Sequence, residues 1–74
     1  MYALYIQYAD GKNSRDGYVT YWESGYIPGV ADLHDSDSHR IMRFPSRKAA
    51  MSFGYRMKEH YGRYLRYFEV VSVY

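Results

Sequence analysis

Tyr2, Leu4, Ile6 and Tyr8 alternate with Ala3, Tyr5, Gln7 and Ala9 at the start of the chain. Period-two alternation built from aromatic and branched residues predicts a β-strand with two unlike faces. The next eight residues, Asp10-Gly11-Lys12-Asn13-Ser14-Arg15-Asp16-Gly17, are dense in turn formers and carry Asp-Gly at both ends. Alternation resumes at Tyr18–Glu23, with Tyr18, Thr20 and Trp22 opposite Val19, Tyr21 and Glu23. Together these segments read as a hairpin with a long loop. A hairpin of this kind needs a second layer over its Leu4–Ile6 side.

The remainder supplies that layer. From Ser24 to Ser38 the periodicity fails, and Gly25, Pro28 and Gly29 break any helix or central strand. The segment keeps Tyr26, Ile27, Val30 and Leu33, enough apolar surface to hold a loop on the domain. A third strand is expected at His39–Phe44. Ser46 is then placed to cap a helix, since its hydroxyl can accept a free backbone N–H of the first turn. Ala50, Phe53, Met57 and Tyr61 recur at helical spacing beside Gly54, and Gly62 is placed to end the helix. Leu65–Val73 is apolar on both faces, which suggests a central final strand. The expected fold is a single α+β domain over residues 1–74. It has a small antiparallel sheet in the order β-β-β-α-β, with one helix across one face.

Composition narrows the chemistry. There are 74 residues, eleven of them tyrosine, against three Leu, three Ile and five Val. A core this short of aliphatic residues must lean on tyrosine rings, each of which buries roughly 150–250 Å². Cysteine is absent, so disulfide scaffolds, cysteine-based zinc modules and thiol catalysis are excluded. No apolar run approaches the ~20 residues of a membrane span, and the start lacks a signal-peptide pattern, so a cytoplasmic protein is expected. Small size also favours a binder over an enzyme, because a cleft with its own supporting shell would consume much of the core.

The net charge of +2 hides a polarity along the chain. Residues 1–39 hold Asp10, Asp16, Glu23, Asp32, Asp35 and Asp37 against Lys12 and Arg15, a net of −4. Residues 40–74 hold eight Lys and Arg against Glu59 and Glu69, a net of +6. Either the basic half meets an anionic partner or the two halves attract each other in the fold.

Residues Arg43-Phe44-Pro45-Ser46-Arg47-Lys48-Ala49-Ala50, with Phe53, Tyr61-Gly62 and Phe68-Glu69-Val70-Val71, resemble the strand–helix–strand tail of many short phage and mobile-element reading frames. The resemblance covers about the last 32 residues and names no family of known activity. It implies a small non-catalytic protein that binds and blocks a host factor, such as a defence or transcription component.

Four constellations are candidates for function. Asp32, His34, Asp35, Asp37 and His39 could hold a divalent cation, but Arg40 and Ser46 stand where a calcium loop needs Gly and Glu. A turn held by Asx hydrogen bonds explains the same residues, and no metal site is assigned. No serine lies in a nucleophile elbow, and paired carboxylates are scarce, so no catalytic residue and no cofactor is assigned. Arg43, Arg47 and Lys48 bracket the helix start, where free N–H groups favour an anion, and Arg66 would join them if the last strand returned beside the third. The tyrosines are the fourth. If the helix covers Leu4 and Ile6, then Tyr5 and Tyr21 stand on an open face, joined by Tyr67, with Tyr26 on the central loop. Two readings follow: a non-enzymatic protein that blocks a host protein through Tyr5, Tyr21, Tyr26 and Tyr67, or a nucleic-acid or nucleotide binder using Arg43, Arg47, Lys48 and Arg66. A homodimer is compatible with both.

Overall fold

In the computed structural model, residues 1–22 and 27–73 are described. Four strands, β1 (Tyr2–Ala9), β2 (Ser14–Tyr21), β3 (Gly29–Ala31) and β4 (Leu65–Ser72), form one antiparallel sheet ordered β3-β2-β1-β4. A single α-helix, α1 (Arg47–Tyr61), lies across one face. The architecture is α+β, as the patterning predicts.

The alternation of β1 does what it implies. Leu4 and Ile6 are fully buried and Tyr8 nearly so, in one core with Val19, Phe44, Ala50, Met57, Leu65 and Val70. Complete burial of one such aliphatic side chain is worth roughly 1.5–3 kcal/mol. The helix begins where Ser46 accepts the backbone N–H of Ala49 through its hydroxyl at 3.1 Å. It ends at Gly62, whose φ of +59° is one that other residues resist. Its buried stripe is Ala50, Gly54 and Met57, with Phe53 and Tyr61 packed at the margins.

Three expectations need correction. The hairpin turn is shorter than eight residues, because Asp10 organises it locally. The Asp10 carboxylate accepts the amides of Lys12 (2.9 Å) and Asn13 (2.7 Å) and the hydroxyl of Tyr8 (2.9 Å), so β2 starts at Ser14. The third strand is Gly29–Ala31 and not His39–Phe44. Residues Ser36–Arg40 form a 3-10 helix instead. Beyond the Tyr5–Tyr18 pair β2 leaves β1, and the segment after Ile41 fills the gap. Met42 donates to the Val19 carbonyl, and Phe44 exchanges both backbone hydrogen bonds with Tyr2. Finally, β4 is an edge strand of the described sheet, paired with β1. Its second apolar face is explained by a small core on the far side of the sheet, where Val73 and Tyr18 pack against Ala3, Ala31 and Ile41.

Helix and sheet approach closely at Gly54. A Cβ there would lie 2.5 Å from Phe68 Cε1 and 2.7 Å from Cδ1, and Phe68 is itself held edge-on against Tyr55 at 5.4 Å. In Gly54→Ala the helix-propensity gain of about 1 kcal/mol is outweighed by overpacking of roughly 1–3 kcal/mol. Thermal melts should show a lowered Tm, by about 4–8 °C per kcal/mol of net loss. Adding Phe68→Leu should recover part of it, since the two sites are coupled.

The turn gives a second expectation. Donation from the Asn13 and Lys12 amides and from the Tyr8 hydroxyl holds the Asp10 carboxyl down at about 2, from its ordinary 3.8. A carboxyl lowered by folding contributes stability above its unfolded value and loses it as pH falls through the folded one. Melts between pH 5 and pH 2 should therefore show an acid-dependent loss in the wild type that is smaller in Asp10→Asn.

Candidate functional site

The two faces of the sheet are covered unequally. The helix spans the Leu4–Ile6 side, while among the described residues the opposite side is covered only where Ile41 reaches Ala3 and Ala31. Beyond that small core the pairing register defines what lies open. Gln7 pairs with Asp16 on one side and Tyr67 on the other, and Tyr5 pairs with Tyr18 and Glu69. Directly paired residues share a face. The uncovered half of the sheet is thus two adjacent rows, Asp16–Gln7–Tyr67 and Tyr18–Tyr5–Glu69.

The side chains in these rows touch. Tyr5 and Tyr18 meet edge to face with ring centres 5.3 Å apart. The Tyr67 hydroxyl donates to Glu69 Oε1 at 3.0 Å. That carboxylate, helped by slight desolvation and by the neighbouring Tyr5, raises the Tyr67 phenol above the ordinary tyrosine range. Tyr67 is 46% exposed, while Tyr5 and Tyr18 are half-buried with their rings supported by one another.

Of the tyrosines predicted for a partner-binding surface, the structure brings Tyr5 and Tyr67 together. Tyr21 stands apart at the pairing with Gly29, bordering a shallow depression with Thr20 and Arg40. Tyr26 lies outside the described residues. Tyr18 is the member that simple alternation misses. Strict parity puts it with Trp22, but the register shifts between Val19 and Tyr21, leaving Thr20 as the extra residue of a bulge. Tyr18 therefore keeps company with Ala3, Ala31 and Ile41, while Trp22 turns to Phe53 and Tyr61 on the helix side.

The basic residues do not converge. Arg47 stacks its guanidinium 5.3 Å over the Tyr2 ring, and Lys48 is exposed on the first helical turn. Arg43 donates to the Ile41 carbonyl at 3.1 Å and borders a cleft of about 560 Å³ with Leu33, His34, Ser38, Ser72 and Val73. Arg66 is the bulged residue at the far end of β4, which runs antiparallel to β1. Six residues of strand separate Arg66 from Ser72, which pairs with Tyr2 next to the helix start. At about 3.3 Å per residue that is roughly 20 Å.

The acidic loop is used up by its own backbone. Asp35 accepts the amide of Asp32 at 2.8 Å, and Asp32 accepts that of His34 at 3.2 Å. No cluster of three or more His, Asp or Glu suited to a metal occurs among the described residues. Among those same residues no helix is long and apolar enough to cross a membrane. No protein-family model, curated protein or solved structure matches the chain.

The contact between Tyr67 and Glu69 is directly measurable. A ring-resolved NMR titration should place the Tyr67 phenol above the ordinary tyrosine range. Glu69→Gln, which keeps an acceptor but removes the charge, should bring it back toward that range.

Proposed function

We propose that this protein is a non-enzymatic binding domain whose uncovered sheet face, built on Tyr5, Tyr18 and Tyr67, docks on another protein. The observation that carries this reading is the half-covered sheet. One face has a helix over it, whereas the other presents three adjacent tyrosines with nothing described above them. Tyrosine supplies large, rigid, amphipathic contact area at low entropic cost, and such rings are enriched among residues that dominate binding energy. The resemblance of the C-terminal strand–helix–strand to phage and mobile-element proteins adds the partner's origin. The partner is a macromolecule of the host cell, and occupying its surface in the cytoplasm is the effect.

The nucleic-acid or nucleotide reading draws less support. Its four cations are divided between the two ends of the sheet, and Arg47 is already engaged with Tyr2. The tyrosines that would stack bases share their face with Asp16 and Glu69, which repel phosphate.

The test is capture of a partner by the tagged protein from host lysate, compared with a Tyr5→Ala/Tyr67→Ala variant that retains the wild-type circular dichroism. Loss of two central aromatic contacts should reduce retention by about tenfold or more. Tyr55→Ala should retain the partner, since Tyr55 is 60% exposed on the helix side. A partner held equally by wild type and double variant, or no partner at all, overturns the reading.

A further inference from the structure

We propose that the tyrosine face receives a cationic protein segment, seating lysine or arginine side chains between its rings and its two carboxylates. This rests on the reading of that face as a docking surface, and it specifies the partner's chemistry.

The placement of charge is the first ground. The chain is basic, yet the paired positions of the two open rows carry Asp16 and Glu69 and no Lys or Arg. The cations of the helix, Arg47, Lys48, Arg56 and Lys58, are on the opposite layer. The two carboxylates sit at opposite corners of the two rows, with Tyr18 and Tyr67 at the other corners. Two strand spacings across and one same-face step along give a corner-to-corner backbone distance of about 12 Å. An extended segment spans that distance with two cationic side chains four residues apart.

The second ground is what those carboxylates lack. Asp16 is exposed and has no hydrogen-bond partner among the described residues. Glu69 spends one oxygen on the Tyr67 hydroxyl, which orients the carboxylate and leaves the other oxygen open to a donor from outside. A guanidinium or ammonium placed there meets a fixed anion on one side and ring faces on the other. Such placement gains from charge-assisted hydrogen bonding and from cation–π attraction together.

The chain already makes half of this contact with its own residues. The Arg47 guanidinium lies 5.3 Å from the centre of the Tyr2 ring, and that of Arg63 lies 5.4 Å from Tyr64. The open face repeats the ring and adds the carboxylate. It is a sheet surface, not a cleft, so a free small cation would meet too few groups at once. A segment that presents several cations together meets both corners.

The experiment is an NMR titration at low salt with three synthetic peptides of about ten residues, alternating Ser with Arg, Lys or Glu. The Arg and Lys peptides should shift resonances of Gln7, Asp16, Tyr18, Tyr67 and Glu69, and the shifts should collapse with added salt. The Glu peptide should shift none of them. Asp16→Asn/Glu69→Gln should weaken the Arg peptide about tenfold or more, whereas Glu59→Gln on the helix should leave it unchanged. Absence of binding, shifts centred on another surface, equal binding of the Glu peptide, or an unaffected double variant would each overturn the proposal. The captured partner separates the two claims. Release by Tyr5→Ala/Tyr67→Ala but not by Asp16→Asn/Glu69→Gln sinks the cationic segment alone, and release by neither sinks both.

Discussion

The contact between Gly54 and the Phe68 ring determines how closely the helix lies on the sheet, and the rest of the architecture follows from that closeness. A helix held at this distance seals Leu4, Ile6, Met57 and Leu65 completely, which a chain with few aliphatic residues needs. The same contact consumes the whole of the single helix. Among the described residues the other side has a short 3-10 helix and Ile41, at the end of the sheet near Ala3 and Ala31.

That geometry sorts the tyrosines by task. Tyr8 puts its ring in the core and its hydroxyl on Asp10, so burial and that hydrogen bond push its phenol up to about 12 while the same bond fastens the hairpin turn. Tyr61 packs edge-on against Tyr8 and Trp22, closing the core at the helix end. Tyr2 takes a guanidinium. Tyr8 shows the pattern most fully, with its apolar body inside and its polar tip answered by Asp10, which is how a ring with a hydroxyl can replace an aliphatic side chain. Tyr5, Tyr18 and Tyr67 answer mainly to one another and to Glu69, at the surface.

What could be read from the residues alone was whatever is decided within a few positions of chain. The alternation of Tyr2–Ala9, the Ser46 cap, the helical stripe through Met57 and the stop at Gly62 are local, and each is present. What escaped depends on partners distant in sequence. Gly29–Ala31 is a strand because β2 offers it an edge, whereas His39–Phe44 begins inside a 3-10 helix and then meets its neighbours singly, Met42 at Val19 and Phe44 at Tyr2. The site divided in the same way. Parity along β1 was sufficient for Tyr5, whereas Tyr18 was hidden by a bulge at Thr20 that only the pairing with β3 creates. The direction of β4 likewise decided that Arg66 could not join Arg43 and Arg47.

The charge polarity of the sequence changes meaning once folded. Read along the chain, an acidic half and a basic half suggest either mutual attraction or an anionic partner for the basic half. In the fold, charged groups instead find backbone groups or rings: Asp10, Asp32 and Asp35 take amides, Lys58 reaches the Leu65 carbonyl at 2.6 Å, and Arg47 and Arg63 take tyrosines. The two layers differ in charge, since the helix carries Arg47, Lys48, Arg56 and Lys58 with Glu59 while the two open rows carry Asp16 and Glu69. A charged partner then approaches in a preferred orientation, because opposite faces of the molecule attract opposite signs. A substitution at Tyr5 or Tyr67 thus leaves Arg47 and Lys48 on the helix untouched.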